Sequence, residues 1–427
     1  MTNLDRTQAP EIKEFISYRL EAPLRIRSSS SIPLTCFINR QLGLIHITLR
    51  IKAGSFYEQK KSTSVFAALL LKESSKTHSS SEVDEFLDFY GASYSASVLA
   101  EYIVISLIVP KKNCVTVLPM VFDFLANPVY NDRQVDILCQ RQLKNLAYKR
   151  QQVGYCASQA MLHYMFGDTG MMGHQLAEED LRAISVEDLQ AYHKQFFCAE
   201  NIRAFAAGDI DRPIQQFLMD LLSAFPHGEH TVREHTFPQP LPYQRTVLDR
   251  HADSLQSSLL ICRRSIPYTD TQRHDFKILS TILGGYFGSR LMTNLRETNG
   301  YTYGVSCSNF FIHDSSIFYI ESEVNVEYTQ KAIDECHHEL ERICSQKVEE
   351  KELNQVKSYL QGRHLAKVDN TVSYMTQYMQ WDDFGLNQQE WYDFSSAIDN
   401  FNADKALLLA RQYLKKDGFT SVISGNI

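Results

Sequence analysis

The sequence has no stretch close to the roughly 20 consecutive apolar residues that a membrane-spanning helix needs, and no membrane partner is expected. It has no excess of positive charge. Its 43 Lys and Arg stand against 50 Asp and Glu, a net charge of −7, which argues against nucleic acid as a main partner. The opening Met1-Thr2-Asn3-Leu4-Asp5-Arg6 lacks a basic segment followed by an apolar core, so no secretory signal is expected. No Cys-x-x-Cys occurs among the nine cysteines, whose number is odd and whose spacing is wide. That usage excludes a disulfide scaffold and a zinc ribbon, and it points to a reducing, cytoplasmic setting. There is no Gly-x-Ser-x-Gly elbow for a serine nucleophile, and the glycine run lacks the Lys-Ser of a phosphate-binding loop.

What is present is the composition of an ordinary globular chain, 44% apolar and 22% charged over 427 residues. That length suits two to four domains with sizeable cores. The most informative feature is an internal echo. Residues 195–210 read QFFCAENIRAFAAGDI and residues 412–427 read QYLKKDGFTSVISGNI, an ungapped offset of 217. Gln195 matches Gln412, Phe196 matches Tyr413, Gly208 matches Gly425 and Ile210 matches Ile427. Each copy is a helical run followed by a short apolar strand ending in Gly. Ser185 with Asp188 opens the first helix as a capping pair, and Asn402 opens the second. A repeat of half the chain means two similar domains, not a solenoid. Residues 226–243, PHGEHTVREHTFPQPLPY, have the proline-rich composition of a linker. The expected domains are therefore 1–225 and 244–427.

Within each half, strands and helices come in blocks. Ile45–Ala53 alternates as a strand and Thr63–Leu71 is an apolar helical run. Ser79 and Glu82 form a capping box before Val83, Phe86, Leu87 and Tyr90, with Gly91 as the stop. Ser93–Val98 and Tyr102–Val109 read as paired strands, followed by helices over Val115–Leu125 and Val135–Arg150. In the second half, Leu259–Cys262, Val305–Phe311 and Ile317–Val324 read as strands, and Phe276–Leu283 as a helix. Ala332, Ile333, Cys336, Leu340 and Ile343 share one helix face. The fold class is α+β in both halves, without strict βαβ alternation.

The segment Gly284-Gly285-Tyr286-Phe287-Gly288-Ser289-Arg290-Leu291 is followed by Leu295-Arg296-Glu297-Thr298-Asn299-Gly300-Tyr301-Thr302-Tyr303-Gly304. This stretch resembles the second-half signature of the insulinase, pitrilysin and mitochondrial-processing-peptidase superfamily. In that signature a Leu-Arg-Glu run is followed by glycine and by a tyrosine seven positions after the arginine, as Tyr303 follows Arg296. The resemblance extends from about Ile16 to the end of the chain. It implies two homologous α/β sandwich domains, each a mostly antiparallel sheet with helices on one face, arranged around a central chamber that holds an unfolded peptide. It also implies a zinc site in the first half of a catalytic chain, built on a His-x-x-Glu-His helix whose Glu is the general base, with a distal Glu ligand. Arg296 and Tyr303 take the place of the pair thought to hold the substrate backbone or its oxyanion.

The same alignment sets Ser64 at the first histidine, Ala67 at the glutamate and Ala68 at the second histidine. A hydroxyl and two methyl groups neither ligate Zn²⁺ nor move a proton. No His or acid lies between Lys61 and Leu71, and no Glu occurs between Glu101 and Glu178. The expectation is a chain without metal or other cofactor of its own. Family chains often work in pairs, so the expected partner is a homologous subunit bearing the zinc, with a homodimer as the other assembly. The unfolded peptide is expected to add to the first-half edge strand Ser93–Val98 around Ser95. Gly284 and Gly285 either admit a peptide backbone closely or serve a tight turn or close helix packing. The offset of 217 maps this pair onto Ala67 and Ala68.

Other polar clusters read as ordinary surface. His227, Glu229, His230, Glu234 and His235 have ligand-like spacing, but they sit in the linker among prolines. His337 and His338 are adjacent on a helix and point apart. Two functions follow: a non-zinc peptidase subunit that supplies Arg296 and Tyr303, or a catalytically silent peptide-binding scaffold with the peptidase fold.

Overall fold

Glycine ends the closing strand of each half for the same physical reason. Gly208 has φ +129° and Gly425 φ +155°, where side chains are strained. A Cβ at Gly208 would lie 2.0 Å from the Leu44 carbonyl oxygen, and one at Gly425 2.6 Å from Ser257 Oγ. The echoed glycine is thus a backbone requirement repeated in two sheets.

The computed structural model describes residues 7, 19–27, 32–167, 172–228, 244–251, 253–312 and 315–426. The first half begins with strands β1 (Leu24–Arg27), β2 (Pro33–Ile38) and β3 (Leu44–Ile51). Helices α1 (Thr63–Leu70) and α2 (Ser80–Phe89) lead to β4 (Ser93–Val98) and β5 (Ile103–Pro110). Five helices follow: α3 (Cys114–Ala126), α4 (Asp132–Lys149), α5 (Val153–Phe166), α6 (Glu178–Arg182) and α7 (Val186–Phe196). Strand β6 (Ile202–Gly208) and helix α8 (Arg212–Leu222) complete it. The second half opens with β7 (Thr246–Arg250), β8 (Gln256–Arg264) and α9 (Arg273–Gly284), then β9 (Thr302–Ile312) and β10 (Ser315–Asn325). Helices α10 (Thr329–Ser345), α11 (Glu350–Ala366), α12 (Thr371–Asp382), α13 (Gln389–Asn400) and α14 (Ala403–Tyr413) precede β11 (Thr420–Gly425). Displaced by 217 residues, α7 falls on α14, and α4, α5 and β6 fall within two residues of α11, α12 and β11.

The first sheet runs β1-β2-β6-β3-β5-β4 and the second β7-β11-β8-β10-β9. Both are antiparallel except at β2/β6 and β7/β11. The expected α+β architecture is present in both halves, and each sheet packs one face against helices of its own half. Phe66, Val117, Leu118 and Leu189 build the first core on β3, β5 and β6. Leu279, Ile282, Leu340 and Leu409 build the second on β8 and β10. Caps stand where the sequence puts them. Ser79 with Glu82 and Ser185 with Asp188 are complete capping boxes, and Asn402 accepts from the Lys405 N–H.

Among the described residues, two helices cross between the halves. Helix α5 of the first half lays Ala157, Met161 and Met165 on Leu260, Cys262 and Val422 of the second sheet. Helix α12 of the second half lays Met375 and Tyr378 on Phe37, Phe205 and Ala207 of the first. Polar contacts join the same surfaces. Arg203 reaches Asp382 Oδ2 at 2.8 Å, Arg50 reaches Asp383 at 2.6 Å, and the Thr420 hydroxyl meets the Tyr164 hydroxyl at 3.0 Å. Each sheet therefore carries its own helices on one face and one borrowed helix on the other. No described helix is long and apolar enough to cross a membrane.

Candidate functional site

Helix α1 occupies the position at which the resemblance places a zinc-binding helix. Its apolar run is sunk into the first core: Ser64 and Ala67 have no exposed surface and Ala68 has 1%. The Ser64 hydroxyl donates to Glu58, whose carboxylate also accepts the Ser62 N–H at 2.8 Å and the Ser64 N–H at 3.1 Å. Glu58 thereby closes the N-terminal end of α1, where free N–H groups favour an anion. Burial pushes the Glu58 carboxyl up, while the Ser64 and Ser62 bonds and the nearby Lys61 charge pull it down. Tyr130 and Tyr192 pack over the helix. The first reaches the Ala67 carbonyl at 3.4 Å, and the second donates to the Ala53 carbonyl at 2.5 Å. His193 lies behind them and bonds the Leu125 carbonyl through Nε2 at 2.8 Å. Serine, alanine and alanine offer no set of zinc donors. The helix position does not fit the family's metal.

The second-half signature is built differently. Residues Met292–Thr298 form a π-helical turn. Asn299 N–H closes on the Asn294 carbonyl at 3.0 Å, and Tyr301 N–H on the Leu295 carbonyl at 2.9 Å. Such turns are rare and collect at functional sites. Leu295 anchors the turn in the core with no exposed surface. Arg296 is half-buried, its guanidinium stacked 4.3 Å from the centre of the exposed Phe287 ring. The chain then enters β9, the edge strand of the second sheet. There Tyr303 stands 95% exposed. Its neighbour Thr302 is tied down, its hydroxyl donating to the Glu323 carbonyl at 2.7 Å.

Tyr303 lines an open groove of about 1060 Å³. The opposite wall is the start of α5, from Gln151 to Tyr155, and Leu255, Glu323 and Tyr328 complete it. Tyr301 stacks on Tyr328 at 5.0 Å and 25°, giving the groove an aromatic floor. Gly154 lets Glu323 come to the N-terminal end of α5, since a Cβ there would lie 2.7 Å from Glu323 Oε1. The groove thus joins the two halves, a point invisible in either segment alone. In the sequence, the cue to Tyr301 is the Gly300-Tyr301 step inside the signature, and Tyr328 carries none.

Ser95 is exposed on β4, the edge strand of the first sheet. Gly284 is buried, and a Cβ there would lie 3.0 Å from the Cys307 backbone nitrogen and 3.0 Å from Leu291 Cδ1. This is close packing of α9 on β9. Gly285 is half-buried and lines a separate cleft of about 460 Å³ with Lys277, Arg363 and Lys367. In the linker, His227 bonds Glu200 at 2.9 Å. Its companions Glu229, His230, Glu234 and His235 lie outside the described residues.

The chain matches two adjoining family descriptions: "Insulinase (Peptidase family M16)" over residues 44–182 and "Peptidase M16 inactive domain" over 183–360. It is 20% identical over 395 residues to the uncharacterized zinc protease YmxG of Bacillus subtilis, covering 90% of this chain and 94% of YmxG. It is 21% identical over 362 residues to the uncharacterized zinc protease SCO5738 of Streptomyces coelicolor, covering 83% and 78% of the two chains. Among solved structures, a peptidase M16 inactive domain from Pseudomonas fluorescens superposes with a TM-score of 0.86 at 19% identity, covering 95% of this chain and 98% of that one. A protease from Helicobacter pylori gives 0.79 at 15% identity, covering 95% and 100%. These last two likenesses establish the fold. Taken with the paired sheets and the Arg296–Tyr303 signature, the two family matches place this chain in the insulinase (M16) peptidase family.

Proposed function

We propose that this chain is the non-zinc subunit of a heteromeric M16 metallopeptidase, acting on unfolded peptides in a cytoplasmic setting. The observation that carries the reading is a contrast between the two halves. The zinc-helix position is filled with Ser64, Ala67 and Ala68 and buried. Tyr303, by contrast, stands almost fully exposed in a wide groove beside the turn that carries Arg296. A phenol donates one directed hydrogen bond, and a guanidinium is always charged and offers a planar fork. Aimed at the oxygen of a scissile carbonyl, they stabilise the charge that develops there. A homologous subunit bearing the zinc supplies the rest of the active site across the interface. Arg296 leaves Phe287 to reach that carbonyl. The exposed Phe287 ring and the open edge of β9 lie beside the surface the partner meets. The peptide adds as a strand, with the β4 edge around Ser95 available to it. Gly284 serves packing in this reading, and Gly285 stands away from the peptide.

The second reading, a silent peptide-binding scaffold, draws on the same sealed α1 and on Arg296 resting against Phe287. Peptide hydrolysis by the chain alone, by a zinc-motif family chain from the same source alone, and by their mixture separates the two. Activity that rises only on mixing supports the subunit. A mixture no more active than the zinc-motif chain alone supports the scaffold.

A further inference from the structure

One group of side chains has a composition unlike the surface around it. Cys156 on the first turns of α5, Asp249 on β7 and His251 just beyond β7 bring a sulfur, a carboxylate oxygen and an imidazole nitrogen within 4.8 Å of one another. All three are half-buried. The sequence conceals the group, because more than 90 residues separate Cys156 from Asp249. The fold assembles it by laying α5 of the first half over the second sheet, next to the residues Gly154 and Tyr155 that wall the groove holding Tyr303. Asp249 and His251 stand two positions apart and so face the same side of the extended chain. His251 is fixed through its backbone N–H to the Gly425 carbonyl at 2.8 Å. The Asp249 carboxylate is oriented by the fully buried Ser424, whose hydroxyl donates to Oδ2 at 2.9 Å. His251 Nε2 meets the same oxygen at 2.9 Å.

We propose that Cys156, Asp249 and His251 form a site for a thiophilic divalent cation of the zinc class, distinct from the lost site on α1 and departing from the sequence expectation of a metal-free chain. A thiolate, an imidazole and a carboxylate together suit zinc or cobalt and disfavour magnesium and calcium. In a tetrahedral zinc site the ligand atoms stand roughly 3.3–3.7 Å apart, so small rotations of the three side chains close the group around an ion. Half-burial leaves a fourth position for water. Ser424 supplies the outer hydrogen bond that orients a ligating carboxylate. The bound ion clips α5 to the second sheet and so fixes the wall of the groove opposite Tyr303.

The test is an anaerobic titration of the full-length chain with Co²⁺, read by absorbance. The family's own site holds no sulfur, so a thiolate-to-cobalt charge-transfer band reports Cys156 chemistry and not a residual α1 site. One equivalent should develop that near-ultraviolet band together with intense tetrahedral visible bands, and zinc should displace both. Cys156→Ala should abolish the near-ultraviolet band. His251→Ala and Ser424→Ala should each weaken binding by about 10-fold or more, while Cys344→Ala should retain it. Absence of the band in the folded wild-type chain, or its survival in Cys156→Ala, overturns the proposal. Neither result bears on the role of Tyr303, which is read by peptide hydrolysis.

Discussion

In the proposed subunit Arg296 and Tyr303 carry more than any other residues in the chain, and they start from different settings. Tyr303 is already presented to the groove, whereas Arg296 rests on Phe287. With a zinc-bearing partner, Tyr303→Phe removes one directed donor and should lower kcat by about 10²- to 10³-fold, with subunit assembly unchanged. Arg296→Ala should lower activity by a similar factor. Hydrolysis rates alongside size-exclusion profiles check both, and full activity in the two variants would remove the assigned role. The closing glycines make a structural prediction of the same grain. Gly208→Ala forces a side chain into φ +129° and onto the Leu44 carbonyl. It should cost several kcal/mol in a denaturation midpoint, beyond the 1–3 kcal/mol or so typical of core overpacking. These glycines were legible as a matched pair in the sequence, although their reason, a neighbouring strand at contact distance, was not. Ser64, Ala67 and Ala68 stand in the sequence where the resemblance sets two histidine ligands and the general base. Their hydrogen-bonded seal by Glu58 was hidden, because Glu58 belongs to the segment before the helix.

At the level of elements, what the sequence disclosed follows periodicity. The capped helix α2 and the hairpin β4–β5 fall within a residue or two of the expected bounds, and α7 and α14 open directly after the expected caps Ser185 and Asn402. Helices α5 and α12 leave no clear periodic pattern in the sequence. Each lies on the sheet of the opposite half, so the apolar residues do not form the single stripe that marks a surface helix. The edge strands β1 and β7 are short and largely exposed, with little apolar signal. The groove beside Tyr303 is hidden in the sequence for the same reason as α5, since its far wall comes from the other half. The exchange of helices predicts coupling between the halves. Met375 on α12 is fully buried among Phe37, Phe205 and Ala207. Met375→Ala should destabilise the chain by about 2–5 kcal/mol. Limited proteolysis should then cut between the halves faster, and an unchanged cleavage rate would contradict the coupling.

For the molecule as a whole, two buried histidines set an acid limit. His193 bonds the Leu125 carbonyl, and His364 stacks 3.5 Å from Trp391 and bonds its carbonyl. Burial pushes each down to about 4, against roughly 6.5 in an unfolded chain. The unfolded state takes up these protons first. Their contribution is therefore fully present above about pH 7 and is lost as pH falls from about 6.5 toward 4, on the order of 3 kcal/mol for each. Denaturant titrations at pH 7.5 and 5.0 should show this fall, and equal stabilities would contradict it. The central claim concerns division of labour between two chains, and reconstituted peptide hydrolysis tests it most directly. This chain alone should be silent. Mixed with a homologous chain carrying His-x-x-Glu-His it should give activity that neither shows alone, and the mixture with Arg296→Ala should lose most of it. Robust hydrolysis by this chain alone, or a mixture indifferent to its presence, would contradict the account.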